Sequence, residues 1–351
     1  MTLLPVVLAF AFALLLLYLW WGITCLPGER WQFIAAAPVE KRNGEEWTGL
    51  NFTWYGLLTA NAYLASVVVL LILLGSVGVR PLVTCMFATA MLGCCVPASK
   101  LVALLVEKKS HTFTVGGAVF VGIIVTPFVI WGLNAIAGGF FSFHIPLIPA
   151  YAAVATAYAF GEGLGRLACI SFGCCYGKPM DGKNTFLGQL FGSRSFTFHG
   201  ATKKISYAGG LEAVPVIPVQ ALTAMINCTI GIIASWLFLS ARYTAAFLLA
   251  SLATQAWRTF SETMRADYRG EGRISAYQLM GAAGLVYALV AVAVLGNEPV
   301  TAPELYNGLK SVWNPGTILF LQMVWVILFV YTGASRVTAS TVRFHVRQDR
   351  I

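Results

Sequence analysis

The sequence predicts an all-α polytopic membrane protein with about nine transmembrane helices. Three observations carry that expectation. Of its 351 residues 58% are hydrophobic and only 11% charged, where a soluble domain carries about a quarter charged residues. Apolar runs of roughly 20 residues, the length that spans a bilayer, recur almost end to end. Nearly all the basic residues fall on one side of the resulting helix count.

The runs lie at about 3–22, 54–76, 81–104, 116–137, 147–170, 216–239, 243–261, 276–296 and 317–335. The first lacks a basic leader and is too long for a signal-peptide core, so it reads as a retained helix. The run at 243–261 ends on Gln255 and Arg258 and is the weakest. Between the helices lie short turns, an extramembrane loop at 23–53 and one long connection at about 171–215, which reads as a cap over the membrane surface. Nine crossings put the loops at 23–53, 105–115, 171–215 and 262–275, and the tail after 336, on one face. All of the 23 lysines and arginines except Arg80, Arg242 and Lys310 belong to that face.

The net charge of +9 points to anionic lipid headgroups. No basic run interleaves with aromatics, so no nucleic-acid partner is expected. No helix is visibly broken at mid-membrane by paired Gly and Pro, which argues against a transporter. The C-x4-C-C spacing of Cys169, Cys174 and Cys175 matches no standard zinc framework, and neither a metal nor a cofactor is called for. A monomer is favoured.

Six constellations sit at ends of different helices on the basic face. Arg166 lies near the end of an apolar helix, where a charge costs about 2.5–3.5 kcal/mol and needs a partner, a role or a path to the interface. Arg258, Glu262, Arg265 and Arg269 are spaced for one helix face, as a phosphate site or a surface ion-pair ladder. Trp54 and Tyr55 open a span, as an aromatic belt does. Gly116, Gly117 and Gly122 allow a backbone or a headgroup to approach closely, with Lys100 a further cation on the preceding helix. Gln220 lies one turn inside a helix begun by Pro218. Ser275 can cap the helix that carries Gln278. Together they predict one pocket at headgroup depth.

These segments, in order, resemble the prolipoprotein diacylglyceryl transferase family over about 51–296. "WYGLL" resembles its opening Tyr-Gly helix, "VGGAVFVG" its Gly-Gly entrance and "GRLACISFGCCYG" its Gly-Arg signature in a cysteine-bearing form. "IPVQAL" resembles its His-Pro-x-Gln-Leu segment, and "RTFSETMRADYRG" with "ISAYQ" its Arg-Phe-x-x-Glu and Ser-x-x-Gln segments. The resemblance implies a seven-helix core, with one helix added at each end: residues 1–50 before it and 297–351, including a basic tail, after it.

It also implies a transferase that moves diacylglycerol from phosphatidylglycerol to a lipoprotein cysteine in the bacterial inner membrane. By position, Arg166 and Arg258 would hold the phosphate, Glu262 would orient Arg258, and Tyr55 and Gly177 match positions on which the family relies. Lys100, Gly116, Gly117, Cys174, Cys175, Gln220, Arg265 and Gln278 complete the expected lipid site. Val115 and Ile217 stand where the family has histidines, and Cys169 and Cys174 where it has an asparagine and a glutamate. The acceptor is therefore open, and Cys169, Cys174 or Cys175 is a candidate nucleophile or acceptor contact. The rival reading is a lipid-binding or thiol-redox membrane protein without transfer.

The resemblance puts the active face outside the cytoplasm, whereas the positive-inside rule puts it inside. An impermeant thiol reagent added to intact cells labels Cys25 on the first reading. On the second, labelling requires permeabilised cells.

Overall fold

The computed structural model describes residues 3–42, 44–108, 115–141, 143–180, 194–268, 274–294 and 302–351. Arg269 and the middle of the expected cap, 181–193, lie outside these. Among the described residues the helices are α1 (Leu3–Cys25), α2 (Trp54–Ser76), α3 (Pro81–Glu107), α4 (Val115–Gly132), α5 (Leu147–Phe172), α6 (Lys204–Gly209), α7 (Val219–Leu239), α8 (Tyr243–Ser261), α9 (Ala276–Val294), α10 (Leu305–Val312) and α11 (Pro315–Gly333). A wider turn at Leu133–Ala137 and one further helical turn continue α4.

Nine of these helices have 18 residues or more, and their bounds follow the apolar runs closely. Seven are long and apolar enough to cross a membrane. The other two, α5 and α8, carry Glu162, Arg166 and Arg258. The chain is thus a mostly helical, multi-pass membrane protein.

α5 is the central post. Its small residues Ala150, Ala152, Ala153, Ala157 and Ala159 are buried, which lets α2, α7 and α8 pack closely on it. One apolar core, around Leu71, Phe87, Ile145, Tyr151 and Phe247, fills the end of the bundle away from the basic residues. Another, around Leu26, Leu58, Leu167, Phe198 and Ile205, fills the other end.

The loop expected at 23–53 and the tail expected after 336 are instead largely strand. β1 (Phe33–Lys41), β2 (Glu46–Thr53) and β3 (Ala334–Arg343) form an antiparallel sheet in the order β1-β2-β3. Leu50 pairs with Ala339 and Gly49 with Ser340. β2 buries alternate residues, as a strand with one covered face does, and β3 is rich in Val and Thr. The first and last thirds of the chain are thereby hydrogen-bonded to each other. Thr53 Oγ1 adds a bond to the Gly333 carbonyl at 3.0 Å.

The described part of the cap is ordered by Lys203. Its side chain is fully buried and its Nζ donates to the carbonyls of Ser171 at 2.6 Å and Leu26 at 3.2 Å. Burial pushes the ammonium down to about 8. Gln32 and Thr202 exchange two hydrogen bonds of 2.8 Å nearby. The cap is so tied both to the end of α5 and to the chain leaving α1.

Gly56 sets the spacing between α2 and α11, because a Cβ there would collide with the backbone of Gly333. Gly56→Ala should force these helices apart and cost about 1–3 kcal/mol, seen as a lower melting temperature in detergent. Gly93→Ala, where a Cβ meets nothing, should leave it unchanged.

Candidate functional site

Glu162, Arg166 and Arg258 are all buried. Glu162 and Arg166 sit one turn apart on α5, and Arg166 Nη2 donates to Glu162 Oε1. Arg258, near the end of α8, brings Nη1 to 3.7 Å from the same carboxylate oxygen. One carboxylate thus serves two guanidinium groups, which leaves one net positive charge. Arg258 Nη1 and Glu162 Oε2 make no hydrogen bond, although buried polar groups normally do.

Gly116 at the start of α4 makes room for Arg258. A Cβ there would meet Arg258 Nη2 and the ring of Tyr277, each at 2.5 Å. Gly117 faces Val102 on α3. The glycines therefore let α4 close on α8, α9 and α3 at the charged cluster.

Glu162 and Arg166 line the polar end of a cavity of about 270 Å³ between α2, α3, α4, α5, α8 and α11. Tyr55, Cys95, Ser99, Cys169 and Gln255 also reach it. Its remaining wall is mainly apolar, including Val67, Leu70, Met91, Ile123, Val154 and Leu328. An elongated apolar group with an anionic end fits such a space.

The sequence stretch from 258 to 265 does not form one helix face. α8 stops at Ser261, Glu262–Met264 make a tighter turn, and Arg265 is extended. Glu262 consequently meets Arg265, at 3.2 Å. The carboxylate that the structure places against Arg258 is Glu162, which corrects the expected orienting role of Glu262. Arg265 is clamped further by two bonds to Asp267, of 2.8 and 2.9 Å. Burial pushes the Asp267 carboxyl up to about 6, against the pull of Arg265. Glu162 was visible in "GEGLGR", a carboxylate four residues before an arginine inside an apolar run.

Other expected positions act on the framework around the cavity. Lys100 is exposed on α3, while its neighbour Ser99 lines the cavity. Gln278 and Ser275 cap α9 reciprocally: Gln278 N–H donates to Ser275 Oγ at 3.1 Å and Ser275 N–H to Gln278 Oε1 at 2.9 Å. Gly177 presses against the Ile217 carbonyl and bridges to Arg265. Ile217, where the resemblance expects a histidine, is buried with Val219 and Met264. Gln220 Nε2 donates to the Cys174 carbonyl at 3.0 Å, so it supports the cysteine turn.

That turn gathers three thiols. The Sγ atoms of Cys169, Cys174 and Cys175 all lie within 4.8 Å of one another. Gly173 ends α5 at φ +70, a left-handed conformation glycine adopts freely. The Cys174 N–H then donates back to the Cys169 carbonyl at 3.0 Å. Bonding within the cluster, to Cys169 and Cys174, holds the Cys175 thiol well below its ordinary value, helped by Arg265 and Arg166. Cys174 is pushed well above it by Cys169, by Cys175 and by burial. Tyr55 packs edge-on against Phe172 at 5.6 Å, beside this turn.

The sequence model of the prolipoprotein diacylglyceryl transferase family matches residues 46–294. The chain belongs to this family. No curated protein matches the sequence. The match covers α2 through α9 with β2, and so contains Glu162, Arg166 and Arg258. Membership supports a transferase of the diacylglyceryl-transferase type and a lipid substrate.

Removing Glu162 strands two buried cations, whereas Glu262 shares Arg265 with Asp267. Glu162→Ala should therefore destabilise by about 3–5 kcal/mol, and Glu262→Ala by clearly less, in thermal unfolding of the detergent-purified proteins.

Proposed function

We propose that this protein transfers the diacylglyceryl group of an anionic glycerophospholipid, phosphatidylglycerol in the first instance, to a thiol acceptor. The observation that carries this reading is the net positive charge of Arg166, Arg258 and their shared Glu162, of which Glu162 and Arg166 line an otherwise mainly apolar cavity. A phosphodiester headgroup carries one negative charge, and its acyl chains match the remaining wall. Arg258 stands behind this lining, its Nη1 buried without a hydrogen bond and 3.7 Å from Glu162 Oε1, and in this reading it adds its charge to that of Arg166.

In this reading the acceptor sulfur attacks the glycerol carbon next to the phosphate ester oxygen. The carbon–sulfur bond forms as the carbon–oxygen bond breaks, and the electron pair leaves on glycerol phosphate. The leaving group gains a second negative charge, which Arg166 and Arg258 oppose in a site of low dielectric. The thiol proton ends on the departing phosphate, so the step needs no imidazole at Val115 or Ile217. Glu162 keeps the two guanidinium groups from repelling each other and fixes their spacing. Tyr55 and Cys169 line the cavity beside the cysteine turn. The arrangement of Arg258, Gly116 and Glu162 favours transfer. The thiol cluster favours the alternative of a lipid-binding or thiol-redox protein on the same scaffold.

The purified protein in vesicles of labelled phosphatidylglycerol, given a cysteine-bearing lipoprotein-signal peptide, should release glycerol phosphate and label the peptide. Arg166→Ala and Arg258→Ala should each reduce turnover by roughly 100-fold or more. Full turnover in either variant would overturn the phosphate role, and lipid binding without turnover in the unaltered protein would favour the alternative.

A further inference from the structure

We propose that Cys169, Cys174 and Cys175 form a three-sulfur site for one soft, closed-shell metal cation of the Cu(I), Zn(II) and Cd(II) class. The site does not depend on the transferase reading. Linear spacing conceals it, since C-x4-C-C fits no common framework. The fold creates it by turning the chain back at Gly173, so that Cys174 and Cys175 face Cys169 in the last turn of α5.

The geometry is close to that of a bound ion. Metal–sulfur bonds of about 2.3 Å put the sulfurs of a tetrahedral or trigonal site roughly 3.8–4.0 Å apart. The Cys174 and Cys175 sulfurs are 3.9 Å apart, and no pair of the three exceeds 4.8 Å. Rotamer adjustments of less than about 1 Å would complete the set.

The turn is held independently on each side. Gln220 fixes the Cys174 carbonyl. The Ala266 N–H donates to the Tyr176 carbonyl at 3.1 Å, and the Lys178 N–H to the Met264 carbonyl at 2.9 Å. Cys175 itself has φ +59, a left-handed conformation that a non-glycine residue adopts only at a cost. Such strain persists where the surroundings over-determine it and clusters at ligand clamps. Here it brings the third sulfur into the group.

The chemistry selects the ion class. The cluster presents sulfur alone, which suits soft cations and not magnesium or calcium. Arg166 and Arg265 lie near enough to act on Cys175, and their charge offsets that of an anionic thiolate set. Cys169 and Cys174 are buried, which shields a bound ion from competing water.

Cadmium is the probe. The full chain, purified in detergent under reducing conditions and then freed of reductant, is titrated with Cd(II). We expect saturation at one ion per chain, with thiolate-to-cadmium charge-transfer absorption in the ultraviolet. Mass spectrometry after alkylation should show Cys169, Cys174 and Cys175 protected by cadmium. Cys169→Ser and Cys175→Ser should each weaken binding at least 100-fold, and Cys85→Ser should not. The alkylation pattern uses the unaltered protein, so it stands even if a variant fails to fold. Protection of other cysteines, absence of the absorption, or unchanged binding in Cys169→Ser and Cys175→Ser would each overturn the site. So would a disulfide between two of the three that forms in air and persists in the presence of cadmium.

Discussion

The architecture depends on one shared carboxylate. Two guanidinium groups buried at the same point of a helical bundle repel each other and lose their hydration. Either effect alone costs several kcal/mol. Glu162 offsets both, from a helix that every major neighbour packs against. Its position explains why α5 must be the central post. The carboxylate and one arginine are one helical turn apart, so the second arginine can be added only by a helix crossing at that level. α8 is that helix, and Gly116 is the space it needs. The remaining unit of positive charge is then what the interior offers to an anion.

Much of this was legible in the chain. Each helix that crosses a bilayer must be apolar for about 20 residues, so the runs marked the helices to within a few residues. The clustering of polar signals at one end was legible for the same reason, since only helix ends can carry them cheaply. Glu162 escaped because attention to length treats a charge inside an apolar run as dilution. Pairing it with Arg166 required the helical period instead. The arginine ladder failed at Ser261, where a backbone tightening without a Gly or Pro signal turned Glu262 toward Arg265. Lys100 faces outward, as a cation on a helix can do as readily as inward.

The thiol turn and the sheet escaped for a different reason: both are set by distant residues. Gln220 comes from one distant segment and Met264 with Ala266 from another, and together they hold the turn that carries Cys174 and Cys175. No local pattern encodes that convergence. The strands are ordinary in composition, but β2 finds its outer partner near the opposite end of the chain.

That last pairing bears on how the molecule is assembled. β2 emerges early in synthesis and β3 only after α11, with almost the whole bundle between them. Long-range pairing of this kind closes a large loop and is slow to form. Closure of the sheet therefore cannot precede insertion of the final helix, and it works as a latch that only a completely threaded chain can fasten. Until then β2 keeps one edge unpaired, so a stalled or truncated chain displays a sticky strand at the membrane surface, of the kind that quality-control factors bind.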